Sequence, residues 1–158
     1  MLIRPAVHTD LSTLLTFEQK IVDVERPMDP TLIQDKTISY YPIEEYIDAV
    51  DCEVLVAEVN GQIVGSVFGQ VRPRKDFYQT THLGYIGFMY VKNSHRGQGV
   101  SQLLIKTITD WFNQQGVNEI FLNVYAKNPR AIKAYKKIGF EEHLIEMRLN
   151  PVHDERTT

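Results

Sequence analysis

Apolar positions change their period several times along the chain, and each change predicts a new element. Leu2–Arg4 reads as a short strand. Leu11, Leu14, Leu15, Glu18 and Ile21 then follow the spacing of a helix, with Thr9 or Asp10 as its cap. Residues 24–41 carry no period and hold Pro27 and Pro30, after which Pro42 opens a short helix, IEEYIDAV (43–50), with proline just ahead of its first turn. EVLVAEV (53–59) and QIVGSVFGQV (62–71) flank Asn60-Gly61, the dipeptide that most favours a tight hairpin. LGYIGFMYV (83–91) is apolar on both parities, as a strand covered on both faces should be. From Val100 onward the apolar side chains fall at Leu103, Leu104, Ile108, Trp111 and Phe112, and Gly116 supplies a stop. EIFLNVY (119–125) predicts a strand, NPRAIKAYKKIGF a helix from Pro129 to Lys137 ended by Gly139, and FEEHLIEMRL (140–149) a last strand. The polar tail, 151–158, is expected to lack order.

The resulting order, β-α-α-β-β-β-α-β-α-β, predicts an α/β fold of α+β character in one domain, 1–150. A central mixed sheet would carry helices on both faces. A chain of 158 residues can bury roughly two thirds of its unfolded surface, so neither disulfides nor a metal are needed to hold it. Its single cysteine, Cys52, has no internal partner, and no Cys or His spacing suggests a metal site. The N-terminal sequence lacks the pattern of a signal peptide, and no window approaches the ~18 apolar residues of a membrane span. These features predict a cytoplasmic protein. A net charge of −3 argues against nucleic acid as a partner through broad phosphate neutralisation.

The chemistry begins at SHRGQGVSQLL (94–104), where an arginine and two glycines stand at the mouth of a helix instead of an ordinary capping residue. A helix start offers unbonded N–H groups and a partial positive charge, so a glycine-rich entry suits a phosphate or pyrophosphate. The Walker pattern is absent, and Gln102 stands where a dinucleotide-binding loop has its third glycine. Nucleoside triphosphates and NAD are therefore poor candidates.

After the next strand, NPRAIKAYKKIGF places Asn128, Ala131, Tyr135, Gly139 and Phe140 at fixed offsets. With both blocks in view, the chain resembles the Gcn5-related N-acetyltransferase (GNAT) family. The loop motif [RQ]-x-x-G-x-[GA] runs here Arg96-Gly97-Gln98-Gly99-Val100-Ser101, with Ser101 in place of the usual Gly or Ala. The later block N-x-x-A-x-x-x-Y-x-x-x-G-F matches at every named position. The resemblance is good over residues 53–149 and implies acetyl-CoA as acyl donor and a small-molecule or protein amine as acceptor. It implies that the strands at 83–91 and 119–125 splay apart. The backbone of Met89, Tyr90 and Val91 would then pair with the pantetheine arm. The amides of Gly97, Gln98, Gly99, Val100, Ser101 and Gln102 would cradle the pyrophosphate, with Arg96 adding charge. Asn128 would touch the cofactor, and Tyr135 would reach the thioester sulfur as a proton donor.

Family enzymes often place a glutamate on one of two strands to deprotonate the acceptor, and those positions hold Tyr85 and Asn123. Glu25, Glu44 and His82 are candidates by location. The acidic run Glu44, Glu45, Asp48, Asp51 and Glu53 hints at a cationic acceptor, although a solvated helix face accounts for it equally. An acyl-CoA sensor without chemistry, or a transferase of longer acyl groups, are the alternatives; a homodimer fits, dimers being frequent in the family.

Overall fold

The computed structural model describes residues 1–149; the tail expected at 151–158 lies outside them. The elements run β1 (Leu2–Pro5), α1 (Leu11–Glu25), α2 (Ile43–Asp48), β2 (Cys52–Val59), β3 (Gln62–Pro73), β4 (His82–Val91), α3 (Val100–Gln114), β5 (Ile120–Phe121) and α4 (Pro129–Ile138). The strands form one sheet in the order β1-β2-β3-β4-β5, antiparallel except for the parallel β4–β5 pair.

The hairpin turns where Asn60-Gly61 predicts it, with both residues at positive φ, 51° and 75°. Because side chains alternate along a strand, β2 and β3 feed both layers of the core. Val54, Val56 and Phe68 face Leu14 and Phe17 of α1 and Ile43 of α2. Leu55, Val64 and Val67 face Leu104, Ile105, Ile108 and Phe112 of α3, with Tyr135 and Ile138 of α4 at the margin. The sheet is therefore sandwiched between helices, as expected. Each fully buried aliphatic or phenyl side chain contributes about 1.5–3 kcal/mol. Close approach is built in at Gly69, where a Cβ would stand 2.7 Å from both Ile108 and Phe112.

Two expected strands differ. The strand expected over 119–125 shrinks to the two residues of β5. The strand expected over 140–149 is absent among the described residues: 141–149 lie exposed, Leu144 and Met147 at 87% each. A strand persists only where a neighbour offers a ladder, and beyond so short a β5 the sheet offers almost none. Among the described residues no helix is long and apolar enough to cross a membrane.

Candidate functional site

The shortness of β5 creates the principal opening in the sheet. Pairing between β4 and β5 is confined to Gly84 with Ile120 and Tyr85 with Phe121, while β4 continues to Val91. From Ile86 onward, the edge of β4 away from β3 has no strand beside it among the described residues. Main-chain groups on such an edge are a template for an extended ligand. Met89, Tyr90 and Val91 lie on this stretch.

A bulge interrupts it, which the sequence pattern does not reveal. Ser66 pairs with Tyr90 and Phe68 with Gly87, so Val67 stands opposite both Phe88 and Met89. Phe88 adopts φ 55°, a left-handed conformation that costs a bulky residue about 1–3 kcal/mol. Its burial in the α1-side core holds it there. Such a bulge bends the strand and increases its twist just where the edge is open.

β4 runs into the loop before α3. Gly97 and Gly99 have φ of 75° and 82°, and a Cβ at either would meet nothing within 4 Å. Glycine is thus required there by backbone conformation, not by crowding. Among the described residues, the amides of Gly97 through Gln102 have no acceptor; the ladder of α3 begins with Leu103 N donating to Gly99 O at 3.1 Å. Side chains bond elsewhere: Gln98 Nε2 donates to Ser94 O at 2.9 Å, and Ser101 Oγ to Gln102 Oε1 at 3.1 Å. Val100, buried under the sheet, anchors the bare turn. The exposed Arg96 folds back so that its Nε donates to Val91 O at 3.0 Å. That carbonyl keeps a second lone pair for a further donor.

On α4, Asn128 caps the helix, its Oδ1 accepting from Ala131 N at 3.1 Å ahead of Pro129. Seven residues on, Tyr135 lies edge-to-face with Phe140 at 5.9 Å. Burial, with Glu25 and then Tyr85 nearby, pushes its phenol up to about 12, so it keeps its proton at neutral pH. Tyr135 thus has both a packing role and a donor hydroxyl.

The three candidate bases separate. Glu44 is exposed in the first turn of α2. His82 is exposed, its Nδ1 3.0 Å from Thr81 Oγ1, and it precedes Gly84 on the closed side of the β4–β5 junction. Glu25, at the last residue of α1, is half-buried; burial raises its carboxyl and nearby Tyr40 pulls it back partway. At the two strand positions, Tyr85 lies under the Arg72 guanidinium at 3.7 Å and Asn123 is exposed. Cys52 is no nucleophile candidate: burial, then Asp51, push its thiol up to about 12.

Sequence reasoning also missed the supports of this region. Glu18 is 1% exposed, and its Oε1 accepts from the backbone amides of Tyr40 and Tyr41 at 2.8 and 3.1 Å. This fixes an otherwise irregular segment. Asp29 receives Tyr125 Oη at 3.3 Å, and its carboxyl is held well below the usual range by Thr31 and Arg148. No local pattern marks these partners, which lie far apart in the chain.

The profile of the acetyltransferase (GNAT) family matches residues 19–140. An N-alpha-acetyltransferase of Sulfurisphaera tokodaii is 26% identical over 136 residues, covering 81% of this chain and 77% of the relative. The BH1408 protein of Bacillus halodurans, solved as a tetramutant, superposes with a TM-score of 0.84 at 21% identity, covering 95% of this chain and 99% of its own. A predicted acetyltransferase of Clostridium acetobutylicum, solved with acetyl-CoA, superposes with a TM-score of 0.73 at 22% identity, covering 94% of this chain and 95% of its own.

Proposed function

The chain belongs to the acetyltransferase (GNAT) family, and on that footing we propose that it moves acetyl from acetyl-CoA to a primary amine by direct attack in a ternary complex. The observation that carries this reading is the run of amides from Gly97 through Gln102 at the start of α3, unbonded among the described residues, opening beside the edge of β4 that no described strand covers. Glycines with positive φ and a helix dipole suit a diphosphate, and an open strand edge suits the amides of a pantetheine arm. The residues present fit the donor.

Each residue then has a task. The loop amides hold the diphosphate, and Arg96 adds charge beside them. Met89, Tyr90 and Val91 present main-chain groups along the open edge, and Asn128 holds the start of α4 against it. Tyr135, protonated at neutral pH, donates to the sulfur as the carbon–sulfur bond breaks. Most of the rate derives from holding amine and thioester in reacting geometry. The high-lying Cys52 thiol speaks against an acyl-enzyme. We assign the whole activity to one domain, residues 1–150.

Isothermal titration with acetyl-CoA, joined to a thiol-release assay over a panel of amines, tests the proposal. Binding together with amine-dependent release of CoA supports it. Binding without release would identify an acyl-CoA sensor, and stronger competition by longer acyl-CoAs would change the donor.

A further inference from the structure

The proposed reaction leaves one proton without a receiver. An amine is an ammonium ion at neutral pH and must lose that proton before it can attack, and the two strand positions offer Tyr85 and Asn123 in place of a carboxylate. Burial raises the carboxyls of both Glu25 and Glu53, but of the two it is Glu25 whose charge reaches Tyr135. It sits where α1 ends, its carbonyl accepting from Met28 N at 2.8 Å and Asp29 N at 3.0 Å, so the backbone that carries it is fixed. Its carboxylate, though half-buried, has no ion-pair partner among the described residues and only the nearby Tyr40 hydroxyl to offset its burial, whereas Asp10 and Asp29 are both engaged by arginines.

Glu25 is surrounded from several elements at once. Tyr40 and Tyr41 approach from the segment before α2, Tyr125 from the chain after β5, and Tyr135 from α4, and each feels the charge of Glu25. The remaining charged groups near this cluster are Arg26 and Asp29 beside it on its own segment, Arg148, which is bound to Asp29, and Arg72 of β3, which lies over the Tyr85 ring and acts on Tyr41. The Tyr40 hydroxyl is buried and unpartnered. Glu18 pins the Tyr40–Tyr41 backbone and Asp29 holds Tyr125, so these rings are set in place without using Glu25. A carboxylate without an ion pair, set among tyrosine rings and hydroxyls, is suited to an ammonium group, through charge and cation–π attraction together.

Resting on the acetyltransferase reading above, we propose that Glu25 is the general base, receiving the proton of a cationic primary amine held among Tyr40, Tyr125 and Tyr135. One ammonium proton passes to Glu25 and on to solvent. The nitrogen lone pair forms the new carbon–nitrogen bond, and the carbon–sulfur pair leaves with sulfur. Sulfur takes a proton from Tyr135, which regains one from the nitrogen; the third stays on the amide.

The test compares wild type with Glu25→Gln on spermidine, lysine, an aminoglycoside and a peptide with a free N-terminus, from pH 5 to 9. Removing a general base is expected to lower kcat about 100-fold at pH 7. The acetyl-CoA Kd should stay within about threefold, since Glu25 lies off the loop. The variant's kcat/KM should keep climbing with pH toward the pKa of the amine, where wild type has levelled off. A Glu25→Gln enzyme with wild-type kcat and an unchanged profile overturns the role of Glu25 alone. Wild type that binds acetyl-CoA yet releases CoA with none of these amines overturns the transferase reading, and Glu25 with it. Should Glu25→Gln not fold, Glu25→Asp carries the test: a retained acid limb with lower kcat supports the proposal, and an unchanged kcat overturns it.

Discussion

Tyr135 is wedged edge-to-face against Phe140 and reaches toward Glu25 and Tyr85. Tyr135→Phe keeps the ring and deletes only the hydroxyl, separating packing from chemistry. We expect kcat to fall about 100-fold with acetyl-CoA affinity within a few-fold; an unchanged kcat would remove Tyr135 from the mechanism. Glu25 allows a second check, independent of turnover. Its carboxyl is raised by burial above its ordinary 4.5. Between those two values the folded state binds more protons than the unfolded, so its contribution to stability is present at low pH and lost as pH rises. Glu25→Gln removes that loss. The melting temperature of the variant relative to wild type should therefore climb between pH 4 and pH 8, and a constant difference would contradict the burial argument.

Among the elements, the turn into α3 and the seat of that helix on β3 respond to glycine substitution for opposite reasons. At Gly99 nothing crowds a Cβ, but φ is 82°, so Gly99→Ala forces a left-handed alanine costing about 1–2 kcal/mol. The expected outcome is a protein that still folds but binds acetyl-CoA about tenfold more weakly by titration, because the amides are re-aimed. At Gly69 a Cβ meets Ile108 and Phe112 at 2.7 Å. Gly69→Ala overpacks the interface and should cost about 1–3 kcal/mol in urea denaturation. The bulge at Phe88 stores strain between these features, and the core on Phe88 keeps it in place.

Over the whole molecule, Arg4 ties the first strand to the sheet and to the helical layer. It donates to Asp10 at 2.7 and 3.1 Å and to Glu58 at 2.9 Å, while Asp10 also accepts from Val7 N at 2.9 Å. The Arg4 guanidinium holds the Asp10 carboxyl below its ordinary 3.8. A depressed carboxylate adds stability that is present above the unfolded value and lost as pH falls through the folded one. Asp10→Asn should therefore cost about 1–3 kcal/mol in urea denaturation at pH 7, with the gap to wild type closing below pH 3.8.

What the sequence by itself determined was local in origin. Asn60-Gly61 specified the hairpin, the three-and-four spacing from Val100 specified α3, Asn128 with Pro129 and Gly139 bounded α4, and two motifs identified the family. These signals act between residues a few positions apart, within one turn of helix or one reversal of strand. The tertiary structure alone decided that β5 stops after two residues, that β4 bulges at Phe88, and that Glu25 stands among tyrosines drawn from remote segments with no ion pair among the described residues. It also left residues 140–149 without the strand their alternation suggests. Each of these outcomes depends on which neighbour a segment finds across the sheet or core, and that choice is set by packing between positions that no local period links.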